Sequence, residues 1–198
     1  MVLPNQLTVL RIILTPVFLF LFLSGDPLLI QISLAVYLIA AITDWYDGWL
    51  ARKFNYITDW GKFLDPLADK ILTSAAFFAF VHLDILDAWM VWVIVIRDFV
   101  ITGLRGYADY QGVSFVTSKS AKVKTFIQMV FIYYLLFIYT MKNTQFFYEG
   151  NSEIFNKMFD PSLVYYLMLF ITLLTFYTGV EYFYTNRKTI KRLFKIEN

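Results

Sequence analysis

The sequence predicts an all-α membrane protein with six transmembrane helices and both termini in the cytoplasm. Of its 198 residues, 59% are apolar and only 16% are charged, whereas a soluble domain carries about 25% charged residues. The mean hydropathy is +0.60, and lysine and arginine are distributed unevenly between the predicted loops. Six spans of about 33 residues each, loops included, use the whole chain. We therefore expect one membrane domain over residues 1–198.

Six segments have the length of a membrane span. Three contain no charged residue and approach the roughly 20 residues that a helix needs to cross a bilayer. They are Pro27–Thr43, 125–141 and 161–180. The other three, 7–23, 60–83 and 86–107, carry charged side chains. Charges inside a span are costly and usually functional, so these segments carry the most information about chemistry.

The charges between the spans predict the orientation. If the N terminus is cytoplasmic, the outer connections contain six acidic residues and, as cations, only Lys142 and Lys157. The inner connections then contain all of the following: Arg52, Lys53, Lys62, Lys119, Lys122, Lys124, Arg187, Lys188, Lys191, Arg192 and Lys195. Cytoplasmic loops retain lysine and arginine, so both termini are expected inside, in a multi-pass protein of the plasma membrane. Because the first segment contains Pro16 and no cleavage pattern follows it, we expect a retained span.

The composition excludes several kinds of chemistry. The chain has no cysteine and a single histidine, His82, which excludes disulfides and thiolate zinc sites and disfavours an imidazole-based metal site. Any catalysis must rely on oxygen ligands and cations. No nucleic-acid partner is expected.

Four aspartates lie where two predicted spans approach the cytoplasm. At 100° per residue, Asp44 and Asp47 share one stripe of the second span, and Asp65 and Asp69 share one stripe of the third. An isolated aspartate at the centre of a span costs roughly 2.5 to 3.5 kcal/mol, and clustered carboxylates also repel one another. Two divalent cations that prefer oxygen ligands, Mg²⁺ or Mn²⁺, are the natural counter-ions.

Small residues accompany these aspartates. Gly48 and Ala51 lie on the stripe of the second span, and Gly61 lies opposite, on the third. They leave room for a phosphorylated ligand beside the metals. Close helix packing would also explain the small residues, but it would not explain the four carboxylates.

The combined pattern Asp-x-x-Asp-Gly-x-x-Ala-Arg, eight residues, Gly-x-x-x-Asp-x-x-x-Asp resembles the hallmark of the CDP-alcohol phosphotransferase family. The resemblance implies an active site between helices near the cytoplasmic side. It implies that Asp44, Asp47, Asp65 and Asp69 hold two divalent metals and that Asp69 is also the general base. By the same resemblance, the CDP site is lined by Gly48, Ala51, Arg52 and Gly61.

A second group of charges predicts the acceptor. Arg97 and Arg105 in the fourth span, with Lys122 and Lys124 at the start of the fifth, would form a cationic wall if they face the carboxylates. Such a wall suits a phosphorylated acceptor, because arginine binds phosphate bidentately and lysine adds a point charge. Alternatively, Arg97 pairs with an aspartate of a neighbouring span, and the lysines only set the topology.

The wider pattern resembles the phosphatidylglycerophosphate synthases of this family. Residues 3–11, 63–70, 96–105, 122–125 and 179–184 carry that resemblance. It implies CDP-diacylglycerol as donor, glycerol 3-phosphate as acceptor, membrane lipids as surroundings and a homodimer. Asn5 and Thr8 share a helical face and are candidates to border the nucleotide, although capping and topology explain them nearly as well.

Two other functions remain open from the sequence. The same chemistry with another acceptor, such as inositol phosphate, another alcohol or a phospholipid, differs only in the acceptor site. A cation transporter would use the carboxylates as a transport site, but they lie towards one face of the membrane, and no matching pair of interrupted spans is evident.

Overall fold

The protein is described here by a computed structural model, which covers the backbone of residues 3–54 and 59–194. Side chains are described for 7–43, 46, 53 and 64–194. The secondary structure within these ranges is helical, without strands. The helices are α1 (Leu3–Phe22), α2 (Pro27–Phe54), α3 (Asp59–His82), α4 (Ala88–Tyr110), α5 (Lys119–Lys142), α6 (Gln145–Tyr148), α7 (Ser152–Met158), α8 (Pro161–Thr185) and α9 (Arg187–Leu193).

The six long helices form a closed ring. Around the ring, α2 packs against α1, α1 against α3, α3 against α4, α4 against α8, α8 against α5, and α5 against α2. Helix α3 also contacts α5 across the ring, the short helices α6 and α7 pack on α5, and α9 follows α8. Each of the six predicted apolar segments overlaps one long helix, so the prediction of an all-helical protein is confirmed.

Two helices begin with the same Asp-Pro signal. Asp26 Oδ1 accepts hydrogen bonds from the amides of Leu28 at 2.8 Å and Leu29 at 3.1 Å. Asp160 Oδ1 accepts in the same way from Ser162 at 3.0 Å and Leu163 at 3.1 Å. The proline that follows each aspartate suits the first helical position, since it has no amide hydrogen to leave unpaired. These caps fix where α2 and α8 start.

The buried interior is apolar at one end of the ring and polar at the other. At the apolar end, Phe22 stacks on Phe18 with ring centroids 5.4 Å apart and meets Phe80 at 5.3 Å and Tyr139 at 5.1 Å. The polar end buries Thr8 and Arg11 of α1, Thr73 of α3, Asp98 of α4, Lys124 and Gln128 of α5, and Thr175 and Thr178 of α8. On α1, α3, α4, α5 and α8, the buried stripe therefore includes polar residues towards this end.

The outer surface is that of a membrane protein. Large apolar side chains point outward, among them Phe20 with 78% of its surface exposed and Phe176 with 64%. In the part of the chain that the structure covers, two segments are long and apolar enough to cross a bilayer: Lys119–Lys142, which is α5, and Ser152–Thr185, which contains α7 and α8. Leu7–Phe22 of α1 and Pro27–Thr43 of α2 are shorter apolar segments. An apolar outer surface of this extent is typical of a protein surrounded by lipid.

Candidate active site

A cavity of about 500 Å³ opens at the polar end, between α3, α4, α5 and α8. Its volume lies in the range typical of small-molecule sites. Three predicted acceptor residues and one predicted metal ligand share its wall. The lining residues are Pro66, Asp69, Lys70, Arg97, Asp98, Ile101, Thr102, Arg105, Gly106, Asp109, Thr117, Ala121, Lys122, Thr125 and Tyr182.

The acidic side of the cavity lies on α3. Asp65 and Asp69 are both half-buried, and one helical turn separates them, so they share a face. The buried hydroxyl of Thr8 donates a hydrogen bond to Asp65 Oδ1. Asp69 also borders a smaller cavity of about 40 Å³ beside Arg11 and Tyr37. The sequence predicted Thr8 beside the nucleotide, and the structure places its hydroxyl on a predicted metal ligand.

The remaining motif residues have described backbones only. Their side chains lie outside the residues whose placement is described: Asn5 on α1, Asp44, Asp47, Gly48, Ala51 and Arg52 on α2, and Gly61 on α3. Among the side chains that are described, no group of three or more acidic or histidine residues is close enough to hold a metal. Asp65 and Asp69 still fit a hard divalent cation, because they offer carboxylate oxygens on a single face.

Asp98 is the centre of the cationic side. Only 3% of its surface is exposed, and its carboxylate forms ion pairs with three cationic side chains. Its Oδ1 is 2.6 Å from Lys124 Nζ and 3.0 Å from Arg97 Nη1. Its Oδ2 is 3.7 Å from Lys70 Nζ. Three cations around one carboxylate leave a net positive charge beside the cavity.

Arg97 is held from two sides as it reaches the cavity. Its Nη2 donates to Thr178 Oγ1 of α8 at 3.1 Å. Its aliphatic stem passes over Gly179, where a Cβ atom would come within 3.2 Å of Arg97 Cγ. Helix α8 therefore gives Arg97 both a hydrogen-bond partner and the space to extend. Among the described side chains, the ion pair of Arg97 is with Asp98, the next residue of its own helix, and not with an aspartate of a neighbouring span.

The other predicted acceptor residues divide into two groups. Arg105 and Lys122 line the cavity, and Arg105 Nη2 donates to Thr117 Oγ1 at 2.9 Å. Lys124 has no exposed surface and lies behind Asp98, outside the cavity lining. Its contribution to the cavity is therefore indirect, through the Asp98 carboxylate.

Sequence reasoning missed Lys70 as a site residue. Its Nζ is 3.4 Å from Asp69 Oδ2 and 3.7 Å from Asp98 Oδ2, so it joins the acidic and cationic sides. Its position directly after Asp69 was an available signal. Thr117 and Tyr182 also line the cavity, but uncharged residues in a loop and on a distant helix gave no comparable signal.

The chain is similar to known proteins over nearly all of its length. Residues 1–178 match the family described as CDP-alcohol phosphatidyltransferase. A protein of Bacillus subtilis (strain 168) is 37% identical, over 96% of this chain and 97% of its own length. One from Rickettsia bellii (strain RML369-C) is 34% identical, over 94% and 96%. One from Rickettsia typhi (strain ATCC VR-144 / Wilmington) is 39% identical, over 64% and 71%.

All three relatives are named CDP-diacylglycerol–glycerol-3-phosphate 3-phosphatidyltransferase. The hallmark pattern, the helical fold with its apolar surface, and the match over most of the sequence agree. The chain belongs to the CDP-alcohol phosphatidyltransferase family.

Proposed function

We propose that this chain transfers the phosphatidyl group of CDP-diacylglycerol to glycerol 3-phosphate, giving phosphatidylglycerophosphate and CMP. One observation carries the proposal beyond the family: a single cavity brings Asp69 together with Arg97, Arg105 and Lys122. An acceptor that carries both a hydroxyl and a phosphate needs a base and a cationic wall within one small molecule's length. The relatives' names specify the same donor and acceptor.

The cationic wall supports a phosphorylated acceptor. Arg97 and Arg105 lie two turns apart on α4, and Lys122 faces them from α5. Guanidinium groups bind phosphate through two parallel hydrogen bonds, which fixes its orientation as well as its position. Bound in this way, the phosphate would direct the hydroxyl of the same molecule towards α3.

Divalent cations complete the proposed site. Asp44, Asp47, Asp65 and Asp69 would hold two ions, Mg²⁺ or Mn²⁺. When bound, such ions stabilise negative charge on the phosphoryl oxygens and on the leaving CMP. The Thr8 hydroxyl supports this role for Asp65, because ligating carboxylates are usually held by further hydrogen bonds.

The protein's own residues would perform the remaining steps. Asp69 takes the proton of the acceptor hydroxyl, and that oxygen forms a bond to the phosphorus that carries the diacylglycerol. The bond between this phosphorus and the CMP oxygen breaks. Positioning and charge stabilisation dominate such transfers. The proposed CDP-binding residues are Asn5, Thr8, Gly48, Ala51, Arg52 and Gly61.

The proposed membrane arrangement has six spans, α1 to α5 and α8. Both termini and the polar end would face the cytoplasm, with the protein in the plasma membrane. The distribution of lysine and arginine supports this orientation. It would give glycerol 3-phosphate access from the aqueous side while the donor lipid enters from the bilayer. A homodimer is proposed from the family resemblance.

The test is an acceptor panel with purified protein in lipid vesicles. With CDP-diacylglycerol and Mg²⁺, glycerol 3-phosphate should release CMP and form labelled lipid. Inositol phosphate, glycerol and phosphatidylglycerol should give little CMP. EDTA should stop the reaction, and Mg²⁺ or Mn²⁺ should restore it. A preference for another acceptor, or ion flux without nucleotide dependence, would contradict the proposal.

Two variants make the test specific. Asp69→Asn should abolish CMP release, since an amide cannot accept the hydroxyl proton. Asp87→Asn is the matched control, because Asp87 is an exposed aspartate before α4 whose side chain makes no capping hydrogen bond. Full activity in Asp69→Asn would show that the base lies elsewhere.

A further inference from the structure

The loop between α4 and α5, residues 111–118, forms part of the cavity wall. It leaves α4 through Gly112, whose φ of +71° suits glycine, and the amide of Val113 donates to Ala108 O at 2.9 Å. Thr117 lines the cavity and accepts the hydrogen bond from Arg105 at 2.9 Å. The direction of the Arg105 guanidinium therefore depends on where the loop holds Thr117.

Asn186, at the junction of α8 and α9, ties this loop to the bundle. Its Oδ1 accepts from the amide of Val116 at 3.0 Å, and its Nδ2 donates to Val116 O at 3.2 Å. The same Nδ2 donates to Tyr182 O at 3.0 Å. Only 2% of Asn186 is exposed. The backbone N–H and C=O of Val116 are thus both hydrogen-bonded to one side chain, which lies 70 positions away in the sequence.

A second contact fixes the loop one helical turn earlier on α8. The ring of Phe115 packs against Tyr182, with centroids 5.6 Å apart, and Tyr182 itself lines the cavity. The two consecutive loop residues that precede Thr117 are therefore both anchored to α8. Asn186 is not among the lining residues. It reaches the cavity through Val116 of the loop and through the backbone of Tyr182.

We propose that Asn186 is a positioning residue for the acceptor phosphate: it holds Val116, so that Thr117 keeps the Arg105 guanidinium directed into the cavity. The inference rests on the proposed function in taking the cavity as the glycerol 3-phosphate site. A carboxamide is the side chain suited to this task, because it accepts one backbone hydrogen bond and donates the reciprocal one. Aspartate keeps the acceptor but places a second oxygen against Val116 O.

Hydrogen exchange tests the contact without relying on activity. In Asn186→Leu, the amide of Val116 loses its acceptor and should exchange at least tenfold faster, measured on peptides spanning 111–118. Asn143→Leu is the matched control. Asn143 also caps the C-terminal end of a helix, α5, and its Nδ2 donates to Tyr139 O, four residues earlier, at 2.8 Å. Unchanged exchange at Val116 in Asn186→Leu would overturn the inference, even if the enzyme used another acceptor.

Kinetics test the consequence for the site. Asn186→Asp should raise the KM for glycerol 3-phosphate about tenfold, the effect of losing one charge-assisted hydrogen bond. The KM for CDP-diacylglycerol should stay the same, and so should both constants in Asn143→Asp. A merely structural role would lower activity without this selectivity, and that result would overturn the inference.

A double variant completes the test. Thr117→Val removes the hydroxyl that accepts the Arg105 hydrogen bond, so it should raise the KM for glycerol 3-phosphate. Adding Asn186→Asp to this variant should have little further effect on that KM. Multiplicative effects in the double variant would mean that Asn186 does not act through Thr117. If the wild-type protein does not use glycerol 3-phosphate as acceptor, the proposed function is wrong. The hydrogen-exchange experiment still decides whether Asn186 holds the loop.

Discussion

At the scale of single residues, Asp98 explains how a lysine can be buried in this protein. Lys124 has no exposed surface, and its Nζ lies 2.6 Å from the Asp98 carboxylate. A buried ammonium is tolerated only when it is paired and hydrogen-bonded. Because the same carboxylate contacts Arg97 and Lys70, one residue sets the positions of three cations.

Asp98→Asn should destabilise the protein by about 3 kcal/mol, because it leaves Lys124 buried without a counter-charge. Thermal unfolding in detergent measures this loss. Adding Lys124→Met should recover most of the stability, since it removes the buried charge and fills the same space. An Asp98→Asn variant that unfolds at the wild-type temperature would contradict this account of the pair.

Thr8→Val should weaken metal binding, because the hydroxyl that orients Asp65 is lost. Changes to such supporting groups typically cost 10- to 100-fold in metal affinity, so half-maximal activity should need roughly tenfold more Mg²⁺. Thr15→Val is the control: Thr15 is buried on the same helix, and its hydroxyl donates to Arg11 O at 2.9 Å. Equal Mg²⁺ requirements in the two variants would show that the Thr8 hydroxyl does not support metal binding.

The residues that sequence could identify differ from those that it could not. Asp65 and Asp69 stand out because carboxylates at helical spacing in an apolar segment demand an explanation. The pairing of Asp98 with Lys124 depends instead on how α4 and α5 meet across the ring, which no local spacing encodes. For that reason the sequence predicts Lys124 at an acceptor site, whereas the structure places it against Asp98, outside the cavity lining.

At the scale of elements, α8 supports the site without supplying a charge to it. Thr178 receives the Arg97 hydrogen bond, Gly179 leaves space for the arginine stem, and Tyr182 lines the cavity. These residues lie on one face of a helix that is otherwise strongly apolar. Apolar content predicted the helix, but it gave no sign of this polar face.

Gly179→Ala should raise the KM for glycerol 3-phosphate several-fold, because the new Cβ would crowd Arg97 Cγ at 3.2 Å. Gly103→Ala on α4 is the matched control, since a Cβ there meets nothing within 4 Å. Both changes favour helix by about 1 kcal/mol, so a difference between them reports on Arg97 alone. Identical kinetics for the two variants would refute the steric argument.

Hydropathy predicted the long helices better than their ends. Helix α2 continues beyond the apolar segment to Phe54, and α5 begins at Lys119, because polar residues can extend a helix past the bilayer core. Helices α6 and α7, with 4 and 7 residues, were not predicted. Helices that short contain too few turns to show a periodic pattern.

At the scale of the whole molecule, the closed ring of six helices is a property that the sequence did not reveal. Local patterns indicate which segments are helical and which ends carry cations. They do not indicate that α5 closes the ring against α2, or that α8 separates α4 from α5 in the ring order. Those neighbours are decided by the packing of side chains far apart in the chain.

The proposed topology can be tested because the chain has no cysteine. Single cysteines at the exposed positions Ser24 and Asn151 should react with a membrane-impermeant maleimide added to intact cells. Cysteines at Gln111 and Lys188, which are also exposed, should react only after the membrane is opened. The reverse pattern would invert the orientation, and labelling at all four positions in intact cells would argue against alternating spans.

The interior has an apolar end and a polar end, so residues that mainly determine stability lie apart from the residues that line the cavity. Around Phe18, Phe22 and Phe80, exchanges that conserve side-chain volume should alter heat resistance while leaving turnover intact. Redesign for higher thermal stability should therefore begin at the apolar end.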